Sequence, residues 1–212
     1  MKRILFSSLF LKSSLAFSAA PINGWYGEIF GGYSYLPNNI QTTLNGLYWS
    51  NVTYNAGYNG GGRIGYKSNP LRYEAEVTYI GAADSGFKVN NIKQINISGE
   101  TSATTAMVNA YYDFPGFIVP LEPFIGLGIG YAYVNAHLYG TGPTLSTEFR
   151  GADSAFAYQG TVGLTYNFVD NYALDIEYRY LGTNNVSELG KIFQANMAIA
   201  GVTYRFDGGT YK

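Results

Sequence analysis

The chain of 212 residues contains no cysteine. That excludes disulfide staples, thiolate nucleophiles and cysteine-based metal sites. It has one histidine, His137, so a histidine-rich metal centre is excluded as well. Charge is scarce: 13% of residues are Asp, Glu, Lys or Arg, and the formal net charge is −1. No block of like charge offers a nucleic-acid surface. Beyond the N-terminus there is no run of 18 apolar residues, which argues against a membrane-spanning helix. A 3.6-residue apolar repeat is missing too.

What the chain does have is tyrosine, 21 copies of it, and 27 glycines. Tyrosine joins an apolar ring to a polar tip and suits a boundary between oily and wet surroundings. The N-terminus reads as an export signal. Lys2 and Arg3 are followed by a short apolar core over residues 4–11 and small residues around Ala16 and Ser18. Cleavage is expected after Ser18, with Ala20 as the alternative. Residues 1–18 are then the signal peptide, residues 24–206 one domain, and residues 207–212 a short tail.

The period of the domain is two. Residues 71–80 place Leu71, Tyr73, Ala75, Val77 and Tyr79 opposite Arg72, Glu74, Glu76 and Thr78. Residues 174–180 place Leu174, Ile176, Tyr178 and Tyr180 opposite Asp175, Glu177 and Arg179. The same alternation recurs over residues 25–35, 58–67, 106–113, 125–133, 158–168 and 198–206. The pattern predicts eight strands of about ten residues each, the length a tilted strand needs to cross a bilayer. The links alternate between short ones near residues 68–70, 114–120 and 169–171 and long ones near 37–55, 81–101, 135–154 and 182–193. Strict alternation puts every long link at one end. The fold class expected is all-β: an eight-stranded antiparallel up-and-down transmembrane β-barrel.

Three considerations place the apolar face outside, toward lipid, rather than inside as in a soluble ligand-binding barrel. An eight-stranded interior is just wide enough for side chains, and the apolar face is too bulky to fill it. Aromatic residues collect near both ends of that face. Trp25, Tyr66, Tyr73, Tyr204 and Phe206 fall at the short-link end, and Tyr33, Tyr79, Tyr131 and Tyr178 at the other, as two interfacial girdles would. Finally, Glu28, Arg63, Glu74, Glu76, Asp175, Glu177, Arg179 and Arg205 all take the opposite parity. A charge facing lipid at the midplane would cost ~2–4 kcal/mol. These eight residues are expected to form an ion network in the lumen, with Arg63 bonded to Glu74 or Glu76 and Glu28 near it. Unpaired buried charge is too costly for any other arrangement.

The opening GWYG of residues 24–27, NAYYDF of 109–114, PFIGLGIGY of 123–131 and the closing GVTYRF of 201–206 carry a resemblance. The chain resembles the eight-stranded outer-membrane β-barrels of Gram-negative bacteria, such as the transmembrane domain of outer-membrane protein A and the small surface-antigen barrels. The resemblance implies residence in outer-membrane lipid and recognition of Val202, Tyr204 and Phe206 by the barrel-assembly machinery. It implies no cofactor. The functional expectation is a structural anchor whose four long loops meet a host or envelope ligand, with Tyr48, Trp49 and Phe149 among the loop aromatics. The alternative is transport of small or hydrophobic solutes.

Two motifs invite chemistry. Gly126, Gly128 and Gly130 have the look of a nucleotide cradle, which needs a glycine turn leading into a helix. Here they alternate with Ile125, Leu127 and Ile129, so they read as gaps on the lumen face that leave room for side chains such as Arg63 or Glu177. His137 is expected in the long link after the fifth strand. As a base it would need a hydroxyl nucleophile and a carboxylate beside it. Ser146, Thr147 and Glu148 fall in the same link, but a solvated loop histidine is the plainer reading. The expectation is that the chain is not an enzyme.

Overall fold

The computed structural model describes residues 23–38, 40–44, 46–115, 120–142 and 146–206. The expected signal segment and the tail 207–212 lie outside them. The strands in chain order are β1 (Gly24–Tyr35), β2 (Thr42–Leu44), β3 (Leu47–Tyr54), β4 (Gly57–Ser68), β5 (Leu71–Val89), β6 (Ile92–Lys93), β7 (Ile95–Asp113), β8 (Leu121–Thr141), β9 (Ser146–Val169), β10 (Tyr172–Val186) and β11 (Lys191–Arg205). A single 3-10 turn, Ser187–Leu189, lies between the last two.

Eight of these strands close a ring in the order β1, β4, β5, β7, β8, β9, β10, β11, all antiparallel. The first and last strands complete it, from Tyr26 opposite Arg205 to Tyr35 opposite Asn196. A closed ring leaves no backbone N–H or C=O edge to the surroundings, the condition a sheet must meet in hydrocarbon. Outward residues are large and exposed along the wall: Ile29 is 73% exposed, Leu127 72% and Ile176 69%. Soluble proteins rarely present so large an apolar surface to water.

The expected ten-residue strands are too short. β5 and β7 have 19 residues each, β8 has 21 and β9 has 24. With a rise of ~3.3 Å per residue and a tilt of ~40°, strands this long stand about 48–60 Å tall, against an apolar band of about 25 Å. The links at 81–101 and 135–154, expected as loops, are therefore mostly wall. At its far rim β3 takes over beside β5 where β4 begins, with Trp49 opposite Val89 and Ser50 opposite Lys88. The backbone N–H of Gln41, just before β2, donates to Leu189 O at 2.9 Å and draws the rim shut.

Along this tall wall the inward face changes character. β8 turns Gly126, Gly128 and Gly130 inward and then Ala132, Val134, Ala136 and Leu138, the last four with no exposed surface. Outside, Leu127, Ile129, Tyr131 and Tyr133 give way to Asn135 and His137. β5 repeats the switch, from Arg72, Glu74, Glu76 and Thr78 to Ile80, Ala82, Phe87 and Val89. The reason is solvent. Where hydrocarbon surrounds the wall the polar residues turn in, and where water surrounds it the apolar residues do. The upper interior is a dry core in which Trp49 packs at 5.3 Å on Phe87 and at 5.4 Å on Phe149. Trp49 and Phe149, expected as exposed loop aromatics, are 1% exposed each.

The three glycines of β8 do leave gaps, but neighbouring strands fill them. A Cβ on Gly126 would meet the Tyr111 ring at 2.1 Å, and one on Gly128 the Asn109 Oδ1 at 2.0 Å. On Gly130 it would meet the Ala106 carbonyl at 2.0 Å. The occupants are thus β7 residues one strand away, because adjacent strands lie only ~4.8 Å apart and lean into each other's gaps before anything crosses the lumen. Gly130 faces backbone, which cannot rotate aside. Gly130→Ala is expected to destabilise the barrel by ~1–3 kcal/mol, the usual cost of overpacking. Gly160→Ala, where the nearest atom is Leu127 Cδ2 at 3.9 Å, is expected to fold normally. Urea titration in lipid vesicles, followed by tryptophan fluorescence, checks both.

Candidate functional site

The lumen holds two ionic layers. The central one is built around Arg63 of β4, which the register sets opposite Glu28 on one side and Glu76 on the other. Its Nε donates to Glu28 Oε2 at 2.7 Å and its Nη2 to Glu28 Oε1 at 2.5 Å, a bidentate fork. Nη1 lies 3.2 Å from Glu177, 3.5 Å from Glu74 and 3.6 Å from Glu76. Arg179, from β10 across the ring, donates to Glu76 at 2.5 and 2.9 Å and to Glu177 at 2.6 Å. All six side chains are fully shielded from solvent. Gln159 and Asn109 complete the layer, Gln159 Nε2 donating to Asn109 Oδ1 at 2.7 Å.

Asp175 and Arg205 differ from their expected roles. Asp175 is buried but accepts hydrogen bonds from hydroxyls, Thr165 at 2.5 Å and Thr203 at 2.7 Å. Arg205 donates to Asn167 Oδ1 and, at 3.3 Å, to the Asp170 carbonyl. Neither forms an ion pair among the described residues. Parity reveals which face a residue takes but not whether an opposite charge lies within reach.

The second layer, near the short turns, was missed in the sequence. Lys67 Nζ lies 2.7 Å from Glu122 and 2.8 Å from Asp113, and Arg72 reaches Asp113 at 3.2 Å and Glu74 at 3.3 Å. The Arg72 guanidinium also sits 4.6 Å from the ring centres of both Tyr111 and Phe124. The signal was present: Lys67, Arg72 and Asp113 share the parity of the residues already singled out. Above the central layer, the Phe30 ring carries Arg63 at 5.2 Å and Arg179 at 5.3 Å on its face. Phe30 also belongs to the apolar core, so its ring stands where the ionic interior meets the apolar one.

The aromatics expected at the membrane surfaces, Trp25, Tyr33, Tyr66, Tyr73, Tyr79, Tyr131, Tyr178, Tyr204 and Phe206, all point outward, between 40% and 77% exposed. Trp25 packs edge-on against Tyr66 at 5.5 Å, and Tyr204 against Phe206 at 5.6 Å. His137 is not in a loop. It lies in β8, faces outward, and stands opposite Glu100 on β7 and Arg150 on β9. Its Nε2 is 2.9 Å from Glu148 Oε1, and Arg150 Nε donates to the same oxygen at 2.6 Å. These two bonds hold the Glu148 carboxyl below its usual range. No hydroxyl is bonded to His137 among the described residues.

The chain matches the outer membrane protein beta-barrel domain over residues 7–206. It belongs to that family. Its place is the outer membrane. Among curated relatives it is 30% identical over 172 residues to outer membrane protein PagN of Salmonella typhimurium, covering 76% of this chain and 66% of that one. It is also 30% identical over 208 residues to an outer membrane protein of Gluconacetobacter diazotrophicus, covering 84% of this chain and 52% of the relative. The chain thus spans only about half to two thirds of these relatives' lengths. The crystal structure of Neisserial surface protein A superposes with a TM-score of 0.58 at 17% identity, covering 86% of this chain and 97% of that one. That likeness speaks to the fold.

Asp84 lies on β5 past Tyr79, where the inward face has turned apolar. It is buried at 6% exposure and accepts from Thr101 Oγ1 at 3.2 Å, while its Oδ2 has no hydrogen-bond partner among the described residues. Burial, helped by the nearby Glu100 charge, pushes its carboxyl up to about 7. The ordinary value is ~3.9, so between these limits the folded chain holds a proton the unfolded one has released. This group's stabilising contribution is full below about pH 4 and is lost as pH rises through 7.

Asp84→Asn is therefore expected to raise the urea midpoint at pH 8 and to leave it nearly unchanged at pH 4. Arg63→Met strands buried carboxylates and is expected to cost ~3–5 kcal/mol. Arg150→Ala, at a side chain 74% exposed, is expected to cost under ~1 kcal/mol. Both are read from unfolding in lipid vesicles.

Proposed function

We propose that the protein is a sealed membrane anchor that displays a rigid outer wall for contact with envelope or host ligands. The observation that carries this reading is the double filling of the lumen. Charged side chains occupy the membrane zone, and Trp49, Phe87, Phe149 and Phe193 fill the zone above it. An ion entering from outside would meet the dry core, and an apolar solute passing that core would meet the ionic layers. Transport of small or hydrophobic solutes, the competing reading, would need a path through both fillings. Val202 and Tyr204, outward on the closing strand, and Phe206 just past its end suit recognition by the barrel-assembly machinery.

The test is electrical. The protein reconstituted in planar bilayers is expected to give no stable conductance steps. Reproducible steps from the wild type would overturn the sealed-anchor reading.

A further inference from the structure

Regular pairing along β5 lapses at one place, and on both of its sides. Toward β7 it stops at Ala83 opposite Glu100 and resumes at Lys88 opposite Lys93 of β6. Toward β3 the register slips twice between Ser50 opposite Lys88 and Tyr54 opposite Asp84. Asn51 and Asn96, with φ of 53° and 49°, carry left-handed backbone beside the break. Scattered bonds stand in for the ladder. The Asn55 N–H donates to Ala83 O at 2.9 Å, the Gln94 N–H to Phe87 O at 3.1 Å, and the Thr53 hydroxyl to Gly86 O at 3.3 Å. Across the break the buried residues of β5 change parity, from Ala82 and Asp84 to Phe87 and Val89.

Asp84 sits at this joint. Its side chain is buried; Oδ1 accepts from Thr101, and Oδ2 has no hydrogen-bond partner among the described residues. Gly99 of β7 makes room for it, since a Cβ there would meet Oδ2 at 2.6 Å. The titratable groups on the strands packed against it are Tyr54 on β3 and Glu100 on β7, with His137 beyond on β8. Lys88 and Lys93 stand past the break, on β5 and β6. Glu100 and His137 face outward, and Asp84 forms no ion pair among the described residues. Three residues on, Phe87 packs against Trp49 in the apolar core.

A carboxylate so placed lacks a cation and lies among apolar side chains, so the neutral acid is favoured over the anion. If the anion forms, the least disruptive relief is local, because the ladder bonds that would resist it are already missing. We propose that the joint is a pH-operated latch: with Asp84 neutral it stays shut, and with Asp84 ionised it loosens and admits water to the core around Phe87 and Trp49. Burial raises the Asp84 carboxyl to about 7, so the change falls near neutral pH. The latch is closed below that pH and open above it, the same sign as the group's contribution to stability. The regular pairing of β4 with β5, from Ser68 opposite Leu71 to Tyr58 opposite Gly81, is not part of the joint, and neither are the ionic layers beside it. The latch therefore stands or falls apart from the sealed-anchor reading.

The test uses the full chain folded in lipid vesicles. It contains two tryptophans, Trp25 and Trp49, so Trp25→Phe leaves the core residue as the reporter. Acrylamide quenching of Trp49 is expected to rise roughly twofold or more between about pH 5 and about pH 9, with far-UV circular dichroism unchanged. Adding Asp84→Asn, which cannot ionise, is expected to hold quenching at its acid level throughout. Thr101→Val removes a hydrogen bond that favours the ionised form and is expected to move the midpoint to higher pH. Quenching that ignores pH overturns the latch. An equal rise in the Asp84→Asn variant overturns Asp84 as its trigger, and so does an unmoved midpoint in Thr101→Val. Loss of the strand signal together with the rise overturns the latch in favour of global unfolding.

Discussion

Hydrocarbon cannot hydrogen-bond a peptide group, so the sheet must close, and everything else follows from that closure. The pairing of β1 with β11 fixes the ring at eight strands. Eight strands fix an interior just wide enough for side chains. Alternation then sends every second residue into that confined space, where charge is tolerable only when paired. Arg63 and Arg179 reach Glu28, Glu76 and Glu177 from different strands, so the ionic layers also brace the ring across its width.

One wall serves two solvents. In the bilayer it is oily outside and ionic inside; beyond the bilayer it is polar outside and dry inside. The hydrogen-bonded ladder runs through the transition without a break, as β8 against β9 shows from Leu121 to Thr141. Phe30 makes the junction workable. Its ring lies against both arginines, to which its electron-rich face is favourable, and also belongs to the apolar core.

The strands and their faces were legible because hydrocarbon imposes a strong rule: large apolar residues out, polar residues in. Tyr73, Ala75, Val77 and Tyr79 against Arg72, Glu74 and Glu76 follow it without exception. Past Ile80 the rule reverses, and a reader holding to one rule sees the pattern dissolve into a loop. Small residues deepen the effect, since Ala82, Ala103, Ala132 and Ala136 pack the core without announcing themselves. The place of Arg63 opposite Glu76 rests on register, which the short turn at Asn69 constrains; its place opposite Glu28 rests on the β1–β4 register, which that turn does not set. The hydroxyl partners of Asp175 and the amide partner of Arg205 depend on angstrom-scale reach that parity does not encode. Nor does parity say that Tyr111 and Asn109, rather than a crossing arginine, occupy the gaps beside Gly126 and Gly128.

The extension of β5, β7, β8 and β9 bears on how that end of the molecule would be recognised. A surface made of paired strands offers alternate side chains from several chain segments at once, fixed in relation by the dry core behind them. An antibody that recognises it would read a patch such as Glu100, His137 and Arg150, one residue from each of three strands. Short synthetic peptides copied from residues 81–101 or 135–154 would present every side chain in turn and in the wrong company. The useful immunogen is the folded barrel.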